Sequence, residues 1–293
     1  MSAILMGYDV ESFAIGEGLA RMGDHGLHTA LEPESCSRAI DLMTALHEEF
    51  RVPATLFVCG RTLLHNLESL RRAAAHPLFE IQQHTYSHML FKPDEWKGAD
   101  FIASSPEALR HEVTMTSALL REHLGIECTG LRTPHGYHLG VGDQPETLRM
   151  LWYAGIRYVS SWGRNEEGGQ PTPLECQPFW YDEAGYPELL EMPFQGWLDG
   201  TWFEAFGQSN ADGFATVLCD IVDEVAQRDL VFGSCFHDWA LLHYQEREGR
   251  WLRRFLERAR ERKVPILSYG NYYAEQRTRR AADLLSAPLA PGV

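Results

Sequence analysis

The chain has 293 residues, of which 44% are hydrophobic and 23% are charged, a balance typical of globular proteins that excludes disordered, collagen-like and coiled-coil chains. Its 26 basic and 41 acidic residues give a net charge of −15, so we expect neither a nucleic acid nor an anionic membrane as its partner. No apolar run reaches the roughly 18 residues of a membrane span. The first residues lack a basic segment, and the six scattered cysteines form no CxxC pair, which favours a cytoplasmic protein with free thiols.

Short apolar strands alternate with amphipathic helices along almost the whole chain. Strands are predicted, in chain order, at Ala3–Val10, Ala54–Cys59, Phe79–His84, Gly130–Arg132, Ile156–Ser160, Leu189–Pro193, Phe232–His237 and Pro265–Ser268. The helical spacing of apolar residues predicts helices between them, most clearly at Ser35–Arg51, Pro106–Leu124 and Trp251–Arg262. The stretch Pro178–Pro193 is an exception, because it predicts a β-hairpin that turns at residues 182–185.

The alternation of strands and helices predicts parallel strands joined by right-handed crossovers. Seven or eight such units in about 280 residues fit a closed (β/α) barrel better than an open sheet. We therefore expect one domain spanning residues 1–293, with a core at about residues 3–275 and a C-terminal tail at 276–293. In such a barrel the carboxyl ends of the strands share one rim, where active sites are built.

Polar residues that suit a metal site follow two of these strands. His84 and His88 are spaced i and i+4, so both imidazoles can reach one ion from the same side of a helical turn. Asp9 and Glu11, at i and i+2, end the first strand with both carboxylates toward one side. One carboxylate can complete a His–His–carboxylate site while the other stays free as a base.

Two further segments bring polar groups to the same rim. Arg132 precedes a Pro/Gly turn and can hold a carboxylate through paired N–H donors. His237 leaves a strongly apolar strand, where a solitary histidine is more often structural than catalytic.

In this order, the segments resemble the polysaccharide deacetylase family, also called the NodB homology domain. The opening acidic motif of that family is similar to Asp9-Val10-Glu11, and its His-(Ser/Thr)-x-x-His motif matches residues 84–88. Its Arg-x-Pro-x-Gly motif matches residues 132–136, and its late strand ending in histidine resembles Cys235-Phe236-His237. Glu191-Met192-Pro193 is similar to a Glu-hydrophobic-Pro segment of many members. The resemblance spans roughly residues 3–275.

The resemblance implies a distorted (β/α) barrel of about seven parallel strands and a metal-dependent hydrolysis of an N-acetyl or similar amide. It also implies a role for each motif residue: Asp9 as the base, Glu11, His84 and His88 as metal ligands, Arg132 as the group that orients Asp9, and His237 as the acid. Zinc suits a His/His/carboxylate set, and cobalt, nickel or iron(II) also fit it.

Two departures from the family leave roles open. Glu11 stands where the family usually has aspartate, so which of Asp9 and Glu11 binds the metal and which is the base remains open. The fifth-strand aspartate that orients the acid histidine in many members has no counterpart in residues 159–162. Asp238 cannot replace it, because adjacent strand residues point to opposite faces. Asp199 is the candidate for this partner.

Three long loops, residues 89–104, 163–177 and 195–202, are expected to form the walls of the pocket. They favour a small or terminal substrate over a threaded polymer, and we expect a small N-acylated amino sugar, a sugar conjugate or a related amide. We expect the oxyanion to lie on the metal, with one backbone N–H near Tyr137 as a further donor. The expected substrate-binding side chains are Tyr137, Trp162, Trp197, Asp199 and Trp202.

Two other functions remain open from the sequence. One is a hydrolase of the same family that opens a cyclic ureide of the allantoin type. The other is a relative that binds carbohydrate and whose catalytic apparatus has decayed. Analysis of the products would separate the two enzymes, because one releases acetate and an amine and the other a ring-opened acid.

Overall fold

The computed structural model describes residues 2–12, 35–207, 209–243 and 249–286. Its strands are β1 (Ala3–Leu5), β2 (Gly7–Val10), β3 (Ala54–Val58), β4 (Phe79–Gln83), β5 (Gly130–Tyr137), β6 (Tyr158–Trp162), β7 (Phe179–Tyr181), β8 (Tyr186–Glu191), β9 (Val231–Gly233), β10 (Phe236–His237) and β11 (Ile266–Leu267). Its helices are Ser35–Phe50, Gly60–His65, Leu67–Ala75, Pro106–Leu124, Pro145–Tyr153, Asp199–Phe206, Ala211–Arg228, Ala240–His243, Arg250–Arg262 and Tyr269–Ser286.

The strands form a mostly parallel α/β arrangement. One sheet has the order β10-β2-β3-β4-β5-β6-β8-β7, and a smaller one has the order β11-β1-β9. Since β1 leads into β2 and β9 into β10, the two sheets are built on the same chain segments. Beyond β8, the N–H of Gln195 donates to the carbonyl of Gly233 in β9 at 3.1 Å. This bond connects the segment that follows β8 to β9. The predicted α/β fold class is confirmed.

The core has an inner and an outer layer because alternate strand residues face opposite sides. Leu5, Phe57 and Tyr269 belong to a buried cluster inside the ring of strands. Tyr8 and Leu56, one residue away from inward-facing neighbours, pack instead in the larger cluster beneath the helices. The polar residues at the carboxyl ends of the strands therefore rest on a filled apolar barrel.

The predicted hairpin is confirmed. Strands β7 and β8 pair antiparallel, and the N–H of Gly185 donates to the carbonyl of Asp182 at 2.9 Å across the turn. Glu191, at the end of β8, is buried and accepts hydrogen bonds from the Ser161 N–H at 2.8 Å and the Tyr181 hydroxyl at 2.6 Å. The bond from Ser161 attaches the hairpin to β6, and the bond from Tyr181 joins the two strands of the hairpin. The contacts of Glu191 therefore hold the hairpin in place.

The helix predicted at Pro106–Leu124 has these same bounds. The hydroxyl of Ser105 accepts from the N–H of Ala108 at 3.2 Å, and Gly125 ends the helix with a left-handed φ of 69°. Both features are the ordinary signals of a helix start and a helix end.

Several predicted boundaries are wrong. The first strand, predicted as continuous, is interrupted at Met6, and the strand predicted at Phe232–His237 is interrupted between Gly233 and Phe236. The strand predicted at Gly130–Arg132 continues to Tyr137. Helix Tyr269–Ser286 occupies the first part of the predicted tail, and residues 287–293 lie outside the described residues.

All six cysteines are free thiols. Among the described residues, no helix is both long and apolar enough to cross a membrane.

Candidate active site

The carboxylates of Asp9 and Glu11 lie at the carboxyl end of β2 and are almost fully buried, with exposed fractions of 3% and 1%. Asp9 Oδ1 accepts a hydrogen bond from Arg132 Nη1 at 2.9 Å. Glu11 Oε2 lies 2.9 Å from His84 Nε2 and 2.9 Å from His88 Nε2. Asp9 Oδ2 also lies 3.6 Å from His84 Nε2, so the two acids differ in their nearest partners: Arg132 for Asp9 and the two imidazoles for Glu11.

Glu11, His84 and His88 bring one carboxylate oxygen and two imidazole nitrogens within 4.8 Å of one another. Burial by itself would raise the pKa of Glu11, but the nearby charge and hydrogen bonds of His88 and His84 hold it well below its usual range. The carboxylate is therefore ionised and faces two nitrogen donors, which is the donor chemistry of a divalent transition-metal site.

The His84 ring is oriented by a second contact. Its Nδ1 lies 2.9 Å from the carbonyl of Arg132. Since a carbonyl oxygen can only accept, Nδ1 carries a hydrogen and donates a hydrogen bond to this oxygen. Nε2 is then the nitrogen that faces Glu11, and it is the one that would bind a metal ion after losing its proton.

The helical turn predicted for residues 84–88 is wrong, although both imidazoles do converge. His84 follows β4 directly, and Thr85 and His88 have left-handed φ values of 62° and 63°. Glu112 stabilises this bend by accepting from the N–H groups of Tyr86 at 3.0 Å and Ser87 at 2.6 Å. Glu112 lies on the buried side of its helix beside Val113. An acidic residue on the apolar side of a predicted helix is the signal by which the sequence could have identified it.

Arg132 is fully buried inside the barrel. Apart from Asp9, its guanidinium donates to Ser160 Oγ at 3.2 Å and to the Tyr269 hydroxyl at 2.5 Å. Its Cζ also lies 4.4 Å from the centre of the Phe57 ring. Several contacts thus fix the guanidinium, and it holds Asp9 in one orientation.

His237 is paired with Asp199, the partner suggested by the sequence. His237 Nδ1 lies 2.5 Å from Asp199 Oδ1, and the His237 N–H donates to Asp199 Oδ2 at 2.8 Å. Burial alone would lower the pKa of His237, but the negative charge of Asp199 outweighs it and raises this pKa to about 10. Asp199 does not lie in a loop, as predicted, but in the first turn of helix Asp199–Phe206.

Asp238 faces away from His237, as the alternation of strand residues predicts. Its carboxylate accepts from the N–H groups of Glu11 at 3.1 Å and Ser12 at 3.4 Å. It therefore fixes the backbone of Glu11.

The four aromatic side chains predicted to bind substrate make contacts with other groups of the protein. The Tyr137 hydroxyl donates to the carbonyl of Pro134 at 2.8 Å, and the Trp162 Nε1 donates to the carbonyl of Arg164 at 3.2 Å. Trp197 and Trp202 pack against each other with ring centres 6.0 Å apart. Substrate binding by these four side chains stays a prediction.

Sequence reasoning missed a buried cluster centred on Asp94. Asp94 Oδ2 lies 2.5 Å from His135 Nδ1 and 2.9 Å from Arg164 Nη2. The His135 ring centre is 5.6 Å from that of His88, so the cluster adjoins the group of Glu11, His84 and His88. These residues come from three separate loops and strands, and no spacing in the sequence marks them as a group.

Two further contacts were also missed. Trp239 Nε1 donates to Glu11 Oε1 at 3.2 Å, and Cys235 Sγ lies 3.3 Å from Asp9 Oδ2.

Residues 31–157 match the polysaccharide deacetylase family, which confirms the resemblance found in the motifs. Of the residues predicted as base, acid, metal ligands and orienting group, the matched segment contains His84, His88 and Arg132. No curated protein sequence matches the chain significantly.

The fold is similar to three solved structures. A Mycobacterium smegmatis protein described as a polysaccharide deacetylase is 18% identical with a TM-score of 0.68, covering 99% of this chain and 94% of that one. A Pseudomonas aeruginosa PAO1 protein of the same description is 17% identical with a TM-score of 0.69, covering 95% and 92%. The Puue allantoinase is 16% identical with a TM-score of 0.69, covering 93% and 90%. At these identities the similarity establishes the fold.

Proposed function

We propose that this chain, a relative of the polysaccharide deacetylase family over residues 31–157, is a metal-dependent hydrolase of a non-peptide C–N bond. It removes an N-acetyl or similar acyl group from a small amino sugar, sugar conjugate or related amide. The observation that carries the proposal is that the two carboxylates at the end of β2 have different nearest contacts. Glu11 faces His84 and His88, while Asp9 is held by Arg132.

The residues present fit one divalent ion. Glu11, His84 and His88 offer an ionised carboxylate and two imidazole nitrogens within 4.8 Å of one another, and the contact of His84 Nδ1 with the carbonyl of Arg132 directs Nε2 toward Glu11. When bound, a divalent ion polarises the amide carbonyl and acidifies the attacking water. Zinc is our first choice, since the donor set suits it, and cobalt, nickel or iron(II) are compatible with the same ligands.

Asp9 and His237 would move the protons. Asp9, fixed by Arg132, takes a proton from the attacking water, and the water oxygen bonds to the acyl carbon. His237, kept protonated by Asp199, gives its proton to the departing nitrogen as the C–N bond breaks. The products are a carboxylic acid and an amine. The oxyanion is placed beside a backbone N–H near Tyr137.

We infer a small substrate from the loops around the site. Residues 89–104 form a long loop whose Phe91 is buried and whose Asp94 reaches the cluster beside His88. A loop anchored this close to the histidines narrows the approach to the site. It therefore favours a small or terminal acylated amine over the middle of a polymer.

Turnover of a panel of small acylated amines, with a stoichiometric assay for the acid and the amine released, tests the proposal. We expect equal amounts of both products from the zinc-loaded protein and loss of activity in His84→Ala. Full activity of metal-free His84→Ala would contradict the proposed role of the metal. No turnover across the panel by the metal-loaded protein would contradict the proposed substrate class.

A second candidate is the opening of a cyclic ureide. The fold similarity to the Puue allantoinase, over 93% of this chain, favours including it. The same residues can serve this reaction, because it too is the attack of water on a carbonyl bonded to nitrogen. A ring-opened acid with no free amine released would support this candidate and replace the first.

The decayed carbohydrate-binding relative has less support. The residues that we propose as base, acid and metal ligand, Asp9, His237 and His84, each have a buried partner that orients them. A protein that only binds has no need of the His237–Asp199 pair.

A further inference from the structure

A second group of possible ligands lies beside the proposed metal site and shares no residue with it. Asp9, Cys235 and His237 each bring one ligand atom within 4.8 Å of the others. All three residues are buried, with exposed fractions of 3%, 5% and 8%. Asp9 Oδ2 and Cys235 Sγ are 3.3 Å apart.

The backbone explains why these side chains converge. Cys235 and His237 are spaced i and i+2 on an extended segment, so both side chains point to the inner face. His237 in β10 is the register partner of Asp9 in the adjacent parallel β2. The group is therefore set by strand pairing.

Two of the three ligands are already oriented as metal ligands are. Arg132 holds Asp9 Oδ1 and leaves Oδ2 toward the thiol. Asp199 holds His237 Nδ1, so Nε2 is the nitrogen that can bind a cation once its proton has left. A carboxylate on the far nitrogen of a histidine is the usual support of a histidine that binds metal.

We propose that Cys235, Asp9 and His237 form a second cation site, selective for thiophilic ions such as Zn²⁺ and Cd²⁺. As the bonds to the metal form, the thiol of Cys235 and the protonated ring of His237 each lose one proton to solvent, and the resulting thiolate is the soft ligand that confers this selectivity. Mg²⁺ and Ca²⁺, which prefer oxygen ligands, are excluded.

Occupation of this site has a consequence that rests on the proposed function. The ion would engage Asp9 and His237, which are the base and the acid of the proposed hydrolysis, at the same time. The first equivalent of zinc would then activate the protein, and a second equivalent would inhibit it.

Cadmium titration of the metal-free, full-length protein tests the site without an activity assay. We expect wild type to bind two equivalents by calorimetry, with a thiolate-to-cadmium charge-transfer band in the ultraviolet. Cys235→Ala should bind one equivalent and lose the band. The matched control is Cys219→Ala, which removes a partly exposed thiol outside the group and should keep both equivalents and the band.

Two more variants keep the test decisive. Cys235→Ser retains the size of the side chain and a donor toward Asp9, so its loss of the band would not reflect misfolding. His84→Ala should lose one equivalent but keep the band, because the two sites share no ligand. A wild type without the band, or a Cys235→Ser variant that keeps it, overturns the proposed site. Absence of turnover in the separate panel of acylated amines bears only on the proposed function.

Inhibition is measured separately in the active protein. We expect zinc beyond one equivalent to inhibit wild type and to inhibit Cys235→Ser at least about tenfold less strongly, since a second ion loses its soft ligand. Equal inhibition of both proteins would contradict the assignment of the inhibitory site to Cys235.

Discussion

Asp9 and Glu11 are two residues apart and chemically alike, yet their nearest contacts differ. Asp9 Oδ1 accepts a hydrogen bond from Arg132, whereas Glu11 Oε2 lies 2.9 Å from each of two imidazole nitrogens. We predict that Asp9→Asn keeps the metal and loses activity by roughly 10²- to 10⁴-fold, because it removes a general base. Glu11→Gln should weaken metal retention, because it removes an anionic ligand. Metal content after gel filtration and turnover, measured together, check both variants; the opposite pattern would exchange the two roles.

His237 should matter most when the leaving group is poor. We predict that His237→Ala slows amide cleavage by roughly 10²- to 10⁴-fold, since an amine departs poorly without a proton. Hydrolysis of an activated ester of the same acyl group should be slowed less, because that leaving group needs no proton. Asp199→Asn should show the same pattern more weakly, as it acts through the Nδ1 of His237. Equal losses on amide and ester would show that His237 only positions other groups.

His47 should make folding sensitive to acid. It is fully buried, with Nε2 2.9 Å from the Tyr8 hydroxyl, and burial lowers its pKa from 6.5 to about 4. Between these two pH values the unfolded chain binds a proton that the folded chain does not. The free energy of unfolding therefore falls as the pH drops, by about 2 kcal/mol at pH 5 from this group alone.

Urea unfolding at pH 7.5 and pH 5 measures this contribution. His47→Gln cannot titrate, so it should lose about 2 kcal/mol less stability than wild type between the two pH values. His111→Gln, which removes an exposed histidine, is the control and should behave as wild type. The same pH dependence in His47→Gln and wild type would contradict the prediction.

Among the elements, the loop of residues 89–104 depends on one buried carboxylate. Burial would raise the pKa of Asp94, but the hydrogen bond from His135 and the charge of Arg164 hold it well below its usual range. We predict that Asp94→Asn destabilises the protein by roughly 3 kcal/mol, because it leaves the Arg164 guanidinium buried without a counter-charge. Thermal unfolding measures the loss, and it also reports the sign of the pH effect: stability from this pair is lost as the pH falls.

Asp100→Asn is a control for that loop. It makes the same chemical change at an exposed position a few residues away and should alter stability by no more than about 0.5 kcal/mol. Comparable losses in the two variants would mean that the loop responds to any change of charge.

The length of an element decides how well its sequence predicts it. Helix Pro106–Leu124 has five turns, a capping serine and a terminal glycine, so its bounds are correct. The bend at residues 84–88 is different, because two left-handed residues that are not glycine shape it and Glu112, distant in sequence, stabilises it. The i, i+4 spacing of the histidines correctly suggested convergence, but it gave the wrong backbone.

At the scale of the molecule, the alternation of strands and helices predicts a parallel α/β fold because each crossover is a local event. The motifs place Asp9, His84, Arg132 and His237 on one rim because parallel strands all end there. The Asp94 cluster follows from no such rule, since loops packed by the finished barrel bring Asp94, His135 and Arg164 together. Tertiary packing, and not spacing, determines that part of the site.

The proposed metal joins distant parts of the chain, so it should also stabilise the whole fold. Glu11 and His84 are 73 residues apart, and the unfolded chain cannot hold both near one ion. An ion at 100 times its dissociation constant adds about 2.7 kcal/mol to the free energy of unfolding, which for a domain of this size corresponds to roughly 5 °C in Tm. We predict that chelation lowers the Tm of wild type by about this amount and that added zinc restores it. His84→Ala, which lacks a ligand of this ion, should show a smaller drop with chelator than wild type when each protein is given one equivalent of zinc, and an equal drop in both proteins would place the stabilising ion elsewhere.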